Sequence, residues 1–296
     1  MSSFRERNDR KSHSAKNRSQ NFVDRSKPAA PKPPREEERR VKPQQNHKSK
    51  ANYDGWLWGV HAVEAALKNS ARTSQIRLFF SEERAKSAPP ALFKRPEIKI
   101  SVLPPVEISR LLPPDAVHQG MAMHAPVLEG ESLDDLMERG NGVILMLDQV
   151  TDPQNIGAIF RSAAAFGARG LILQDRHSPP LQGVLAKTAV GAVDVVPFAR
   201  VTNLSRALET LTDNGYVSIG LAGEGEFNLH DLLTQQGWGD TLKKLVLVLG
   251  AEGEGIRRLV AEHCDHLARI PMPGGFESLN VSHAASISLY EACARV

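Results

Sequence analysis

The residue types that could carry chemistry are concentrated in three polar segments, each directly after an apolar run typical of a buried strand. The first, residues 148–161, places Asn155 at the start of a helical pattern and Arg161 six positions further along it. An Asn at a helix start often only caps the helix, and an Arg between apolar neighbours often forms an ion pair or extends to solvent. Neither residue is therefore specific by itself.

The second segment, residues 249–255, contains three glycines, which let a main chain approach a ligand closely. It is not a Walker loop, because no Gly-Lys-Ser/Thr follows, and Arg258 stands where a dinucleotide fingerprint has its third glycine. Glu252 is compatible with a simple surface turn. Glu254 has a structural alternative as an acidic residue at a helix N-terminus, where it would stabilise the helix dipole.

The third segment, residues 270–285, is a Pro- and Gly-rich loop that leads to Ser278 and Asn280 at the mouth of a helix of small residues. Ser278 has a purely structural alternative as the cap of that helix. Open α/β sheets bind ligands at the carboxyl ends of their strands. All three segments are therefore candidates for a ligand site.

From residue 142 onward, apolar runs alternate with helical patterns, which predicts a mostly parallel sheet covered on both faces. The predicted strands are 143–147, 171–173, 193–196, 216–221, 245–249 and 267–270. The predicted helices are 156–166, 185–190, 204–211 and 279–294.

A smaller α/β domain is predicted over residues 53–127, followed by a linker with a short helix at 128–141 and the larger domain at 142–296. Within the smaller domain, the patterns predict a helix that includes 56–67 and strands at 76–80, 98–103 and 120–126.

Residues 1–52 lack apolar periodicity, which predicts a disordered arm. Residues 1–50 hold 15 Lys or Arg against 6 Asp or Glu, a net charge of +9, whereas the remainder holds 22 against 28, a net charge of −6. The arm is therefore either a tether for a polyanion such as RNA or a solvated tail.

The composition, with 41% hydrophobic and 24% charged residues in 296, is that of a globular protein. No apolar run approaches the roughly 20 residues that span a bilayer, and no secretory signal is evident. Cys264 and Cys293 are too few for a disulfide framework or a four-cysteine zinc site. We therefore expect a cytoplasmic protein with reduced thiols and neither membrane nor metal as a partner.

Taken together, the three segments resemble, in order and spacing, the motifs of the SpoU/TrmH branch of the SPOUT methyltransferases, over residues 142–296. Residues 58–63, Trp-Gly-Val-His-Ala-Val, also look like the RNA-binding domain of the RlmB-like members of that branch. The resemblance implies S-adenosylmethionine-dependent methylation of a ribose 2′-hydroxyl, a deep trefoil knot, and a homodimer whose active site is completed across the interface.

The same resemblance assigns roles to individual residues. The implied catalytic residues are Asn155, Arg161, Glu252, Ser278 and Asn280. The implied S-adenosylmethionine-binding residues are Ala222, Gly223, Gly250, Ile270 and Leu279. Glu252 is expected to hold loop main chain or Arg161, and Arg161 is either the base for the hydroxyl or an electrostatic clamp.

The resemblance implies a guanosine of 23S ribosomal RNA as the substrate, and the two-domain layout favours ribosomal RNA over transfer RNA. A uridine or adenosine of ribosomal RNA stays open, because no residue pattern here reads a base. Two further alternatives stay open: a ribose methyltransferase for transfer RNA, and a catalytically silent RNA-binding factor for ribosome assembly. The intact set of five catalytic residues counts against the silent factor. A nicotinamide-dependent oxidoreductase is disfavoured by the failed glycine fingerprint.

Overall fold

The computed structural model describes residues 53–73, 75–235, 243–276 and 278–293. The predicted disordered arm, residues 1–52, lies outside the described residues. Residues 51–296 form one compact unit that contains two β-sheets. Among the described helices, none is long and apolar enough to cross a membrane.

The first sheet has four strands in the order β1-β4-β2-β3, with β4 antiparallel to both neighbours and β2 parallel to β3. Its strands are β1 (Trp56–Trp58), β2 (Ile76–Phe80), β3 (Ile98–Val102) and β4 (Met121–His124). Its helices are α1 (Val60–Lys68), α2 (Glu82–Ser87) and α3 (Pro105–Leu111).

The two faces of this sheet are covered differently. Val63 and Ala66 of α1 pack with Leu78 in the core of one face. Ile108 of α3 packs with Trp56 on the other face. The prediction of one helical pattern from residue 56 is wrong at its beginning, because Gly59 has a φ of 90° and separates strand β1 from α1.

The second sheet has seven strands in the order β7-β6-β5-β10-β8-β11-β9, and every pairing among them is parallel. Its strands are β5 (Gly142–Leu147), β6 (Gly170–Gln174), β7 (Phe198–Val201), β8 (Val217–Leu221), β9 (Phe227–Asn228), β10 (Lys244–Leu249) and β11 (His266–Arg269). Its helices are α4 (Leu133–Glu138), α5 (Pro153–Phe166), α6 (Gly183–Ala189), α7 (Leu204–Asp213), α8 (Leu229–Thr234), α9 (Arg258–Ala261) and α10 (Val281–Cys293).

Alternate residues of the central strand β5 enter different cores. Leu145 packs in the core that includes α5, α8 and α10, whereas Ile144 and Met146 pack in the core that includes α4, α7 and α9. The prediction of a parallel sheet covered on both faces is therefore confirmed. Helices α2, α3, α8 and α9 have four to seven residues each and were not predicted, because so few residues establish no clear helical period.

The predicted strand at 193–196 is wrong. Residues Ala192–Asp194 form a 3-10 helix, and the side chain of Val195 is 68% exposed, while the strand begins only at Phe198. Gly191 enters this turn with a φ of 92°, and a Cβ at that position would meet the carbonyl oxygen of His61. Packing of the turn against α1 therefore replaces the extended conformation that the valines favour.

The two sheets are joined by buried polar contacts. The Arg72 Nε donates to Asp194 Oδ1 at 2.6 Å, and both side chains are almost fully buried. Arg72 Nη1 also donates to the carbonyl oxygen of Pro126 at 2.9 Å. The Gln182 side chain accepts from the main-chain N–H of Gly55. These contacts connect one end of the first sheet to α6 and to the turn that precedes β7.

Candidate active site

The loop after β5 leaves Asn155 free to serve the site. Asp152 caps α5 by accepting from the N–H groups of Gln154 and Asn155 at 3.2 Å each, and Pro153 occupies the first helical position. Because Asp152 is the cap, Asn155 lies in the first turn of α5 and its side-chain amide is available. The capping alternative for Asn155 therefore does not apply.

The loop after β10 is built from main chain packed on main chain. A Cβ placed on Gly250 would overlap the main chain of Gly255 and Ile256, so only glycine fits there. Ala251 and Gly255 form an antiparallel bridge, and Gly253 has a φ of 85°. The tight turn carries Glu252 at its exposed side.

A buried carboxylate ties this loop to the loop after β5. Asp148 accepts from the main-chain N–H and the Nε of Arg257, at 2.8 Å each, and its side chain is fully buried. The sequence analysis predicts no role for Asp148 or Arg257. The signal in the sequence is an Asp placed directly after a continuous apolar run.

Helix α10 begins at Val281, and Asn280 caps it. The Asn280 Oδ1 accepts from the Ser282 N–H at 2.9 Å and from the Ser282 hydroxyl at 2.6 Å. Ser278 is exposed and lies two residues before this cap. The residue that caps the helix is therefore Asn280, and the capping role considered for Ser278 is not observed.

Three of the predicted catalytic residues, one from each segment, meet in a hydrogen-bonded network. Glu252 Oε1 accepts from Asn155 Nδ2 at 2.9 Å and from Asn280 Nδ2 at 2.5 Å. Asn280 Nδ2 also donates to Asn155 Oδ1 at 2.9 Å. An ionised carboxylate can only accept, so Glu252 orients both amides. The expectation that Glu252 holds loop main chain or Arg161 is corrected: its described partners are the two amides.

The other two predicted catalytic residues lie outside this network. Arg161 is exposed on α5, about 9 Å along the helix axis from Asn155 at 1.5 Å per residue. In the part of the chain that the structure describes, its guanidinium makes no hydrogen bond or ion pair, so the ion-pair alternative is not observed. Ser278 lines the cavity next to the network, as does Glu252.

A cavity of about 220 Å³ opens beside Glu252 and is lined by all the residues predicted to bind S-adenosylmethionine. These residues are Ala222, Gly223, Gly250, Ile270 and Leu279. The remaining walls include Leu221, Leu249 and Met272. These three residues were not predicted from the sequence, although they lie within or next to the segments predicted to bind the ligand.

The lining fits a ligand that is recognised by main chain and apolar surface. Gly250 presents bare main chain, because a side chain there would collide with the loop, and the neighbouring walls are aliphatic. Pockets of this kind hold organic cofactors, with a few polar groups to fix their orientation. Among the described residues, no group of three or more His, Cys, Asp or Glu side chains could hold a metal ion.

The two cysteines are free thiols outside this chemistry. Burial raises the pKa of Cys264 to about 12 and the pKa of Cys293 to about 11. A nucleophilic cysteine needs the thiolate form, which these pKa values make scarce at neutral pH.

The fold and the cavity define an α/β protein that binds its ligand at the carboxyl ends of parallel strands. Residues 142–290 match the family model described as the SpoU rRNA Methylase family. Residues 56–130 match the model described as RNA 2'-O ribose methyltransferase substrate binding. The chain belongs to the SpoU rRNA methylase family.

Known relatives agree with this assignment. The chain is 39% identical over 246 residues to the 23S rRNA (guanosine-2'-O-)-methyltransferase RlmB of Pseudomonas aeruginosa, which covers 79% of this chain and 94% of that protein. An AdoMet-bound rRNA methyltransferase from Sinorhizobium meliloti superposes with a TM-score of 0.67 at 25% identity, over 80% of this chain and 85% of that one.

The SpoU methyltransferase AviRb from Streptomyces viridochromogenes, in complex with AdoMet, has a TM-score of 0.65 at 23% identity. That likeness covers 81% of this chain and 89% of that one, and it supports the fold alone.

Proposed function

We propose that this protein transfers the methyl group of S-adenosylmethionine to the ribose 2′-hydroxyl of a guanosine in 23S ribosomal RNA. The observation that carries the proposal is the meeting of Asn155, Glu252 and Asn280 beside a glycine-walled cavity. The substrate follows from the relative named above, which is similar over nearly its whole length.

The cavity residues would hold S-adenosylmethionine, which supplies an electrophilic methyl group on a sulfonium. The bare main chain at Gly250 allows a flat ring to approach closely, and Ile270 and Leu279 exclude water from it. Ala222 and Gly223, which follow β8, also line the cavity. Glu252 and Ser278 line the cavity as well, so the methyl acceptor would enter next to the amide network.

The acceptor hydroxyl must lose a proton as it attacks, and alignment of the reacting groups supplies much of the acceleration. Asn155 and Ser278 would position the ribose, because Asn155 keeps one amide hydrogen and Ser278 keeps its hydroxyl. Asn280 would hold Asn155 and Glu252 in place, since its own amide is fully used by Asn155, Glu252 and Ser282. Because a guanidinium is a planar cation with several N–H donors, Arg161 would hold a phosphate and stabilise the developing alkoxide. Among the described residues its guanidinium has no partner, which leaves it free for that role.

We also propose a homodimer in which the partner covers α5 and α10. Phe166 and Tyr290 form an edge-to-face pair with ring centroids 6.0 Å apart, and both side chains are exposed together with Ile287. A partner on this surface would bury the aromatic pair and approach Arg161, which lies on the same helix as Phe166. Such a partner would complete the active site.

The trefoil knot is proposed on the path of the last segment. After β11, which pairs with β8, the chain returns to α10, which packs on α5 and against β5. A segment that joins these two positions would cross the carboxyl ends of β8 and β10, which lie between β11 and β5 in the sheet, and the knot requires such a crossing. The family relationship supports the same topology.

We assign RNA binding and methyl transfer to different parts of the chain, one for each sheet. Residues 53–127 would bind RNA, residues 128–141 would link the domains, and residues 142–296 would carry out methyl transfer. The basic arm, residues 1–52, would act as a disordered RNA tether because of its net positive charge. The protein would act in the cytoplasm, because the relative named above methylates ribosomal RNA.

The proposal is tested by mapping ribose methylation in ribosomal and transfer RNA from cells with and without this protein. Loss of one 2′-O-methylguanosine in 23S RNA, restored by the parent protein but not by Asn155→Ala, is the expected result. Loss of a mark in transfer RNA alone would overturn the substrate. Unchanged methylation in both RNAs, with defective ribosome assembly, would favour the silent assembly factor.

A further inference from the structure

Four side chains of the first sheet stand in one line across its strands. In the strand register, Lys99 pairs with Arg77, Arg77 pairs with His124, and His124 pairs with Trp56. Directly paired residues project from the same face of a sheet. Lys99, Arg77, His124 and Trp56, one from each strand, are called the sheet row below.

Only part of this face is covered by α3. Phe79 and Ala122, one row further along, pack with Ile108 of α3, and the cover extends to Trp56. Beyond that edge, Arg77 and Lys99 are exposed, and His124 is partly exposed beside the Trp56 ring, 5.2 Å between centroids.

The uncovered part is a depression rather than a flat surface. A cavity of about 660 Å³ there is lined by Arg77, Lys99 and His124 together with Gln75, Ile76, Glu97 and Pro126. Its position next to Pro126 places it near the contacts that connect the first sheet to the larger one.

The charge of this surface is positive and unmatched. Within the described ranges, neither Arg77 nor Lys99 makes a hydrogen bond or an ion pair. The neighbouring acid, Glu97, is bound by Arg95 Nε at 2.6 Å. Burial and the charge of Arg77 lower the pKa of His124, which favours its neutral ring.

Two exposed cations beside a partly exposed imidazole, on a body of net negative charge, suit the phosphates of an RNA strand. We propose that the sheet row binds the phosphodiester backbone of the RNA substrate, with Arg77 and Lys99 on neighbouring phosphates. The two residues lie on adjacent strands, about 5 Å apart in the main chain, and their long side chains can separate further.

This inference rests on the proposed function and adds the surface that docks the substrate. Arg72 binds both Pro126, two residues after β4, and Asp194, in the turn that precedes β7 of the larger sheet. These contacts connect the sheet row to the half of the protein that would transfer the methyl group. RNA held on the row is thereby kept in a fixed relation to the methyl-transfer half.

The test compares two double variants that remove the same charge. Arg77→Gln with Lys99→Gln removes the cations of the row. Lys86→Gln with Arg206→Gln is the matched control, because both residues are exposed cations on other surfaces, α2 and α7. Binding of 23S RNA transcribed in vitro is measured over a series of salt concentrations, and S-adenosylmethionine binding is measured by calorimetry.

We expect the row variant to bind the transcript roughly tenfold more weakly at about 0.1 M salt, and its slope of log affinity against log salt to be shallower by about 1.5. KM for RNA should rise while kcat at saturating RNA and S-adenosylmethionine binding stay at parental values. The charge-preserving exchange of Arg77→Lys with Lys99→Arg should keep most of the affinity.

Parental affinity and slope in the row variant, or an equal loss in the control, would overturn the inference. The same holds if the row variant binds an acidic protein more weakly but not RNA. If the parent protein itself neither binds nor methylates the transcript, the proposed function fails, and that result is distinct from a failure of the sheet row alone.

Discussion

Asn280 Nδ2 donates to Asn155 Oδ1 at 2.9 Å, although 125 positions separate the two residues in the chain. The bond joins the first turn of α5 to the cap of α10. Ser282 holds the other end of the Asn280 amide, at Oδ1, so the orientation of that amide is determined by its partners. The network therefore serves both the packing of the helices and the geometry of the site.

Asn280 should affect stability and activity separately. Asn280→Ala removes the cap of α10 and is expected to lower the free energy of unfolding by about 1 kcal/mol. Asn280→Ser keeps a capping hydroxyl but cannot bridge Asn155 and Glu252, so its stability should stay close to that of the parent. Both variants should lose methyl transfer. Urea denaturation and an RNA methylation assay measure the two effects, and an active Asn280→Ser protein would contradict the role of the network.

Substitutions at Arg161 distinguish its role as an electrostatic clamp from a role as the base. Arg161→Lys keeps a positive charge but loses the planar guanidinium, so a clamp predicts a rate reduced by about 10²–10³ at every pH. A base predicts instead that activity of the Lys variant rises with pH as the amine is freed. The pH profile of kcat decides between them. Calorimetry should show unchanged S-adenosylmethionine binding, and near-parental activity of Arg161→Ala would rule out both roles.

Gly250 should be intolerant of any side chain. Gly250→Ala would push a Cβ into the main chain of Gly255 and Ile256, so the loop must shift and S-adenosylmethionine binding should be lost. Gly274→Ala is the control, because a Cβ there meets nothing within 4 Å. Calorimetry in the presence of a chelator measures binding without metal. Equal affinities of the two variants would show that the Gly250 wall does not contact the ligand.

Breaking the buried Arg72–Asp194 ion pair should lower the free energy of unfolding more than breaking an exposed pair. Arg72→Ala leaves the buried Asp194 carboxylate without its cation and with Asn69 as its remaining described side-chain donor. The expected loss in the free energy of unfolding is about 3–5 kcal/mol. Arg258→Ala is the control, since its pair with Glu262 is exposed, 87% and 50%, and such pairs contribute about 0.5 kcal/mol or less. Chemical denaturation measures both. Similar losses would mean that the buried pair does not hold the two sheets together.

The basic arm should strengthen RNA binding without touching the donor site. Deleting residues 1–50 removes a net charge of +9, so we expect weaker RNA binding and a shallower dependence of log affinity on log salt. S-adenosylmethionine binding should be unchanged. RNA affinity equal to that of the full chain at several salt concentrations would restore the interpretation of the arm as a solvated tail.

The sequence by itself determined the parallel sheet and the three loops that serve its carboxyl edge. Continuous apolar runs such as Gly142–Leu147 indicate strands covered on both faces, and this signal is local. Glycine at position 250 and the polar residues Asn155, Glu252 and Asn280 could also be selected, because their order and spacing resemble a known family.

Only the tertiary structure decided how these residues are used. Asn280, rather than the alternative Ser278, caps α10. Glu252 accepts from two amides rather than from Arg161. These partners depend on which loops meet in space. The valines at 193–196 do not form the predicted strand, because their turn packs on α1. The alignment of Arg77 with Lys99 depends on the register of two strands whose paired residues are 22 positions apart, which no local pattern contains.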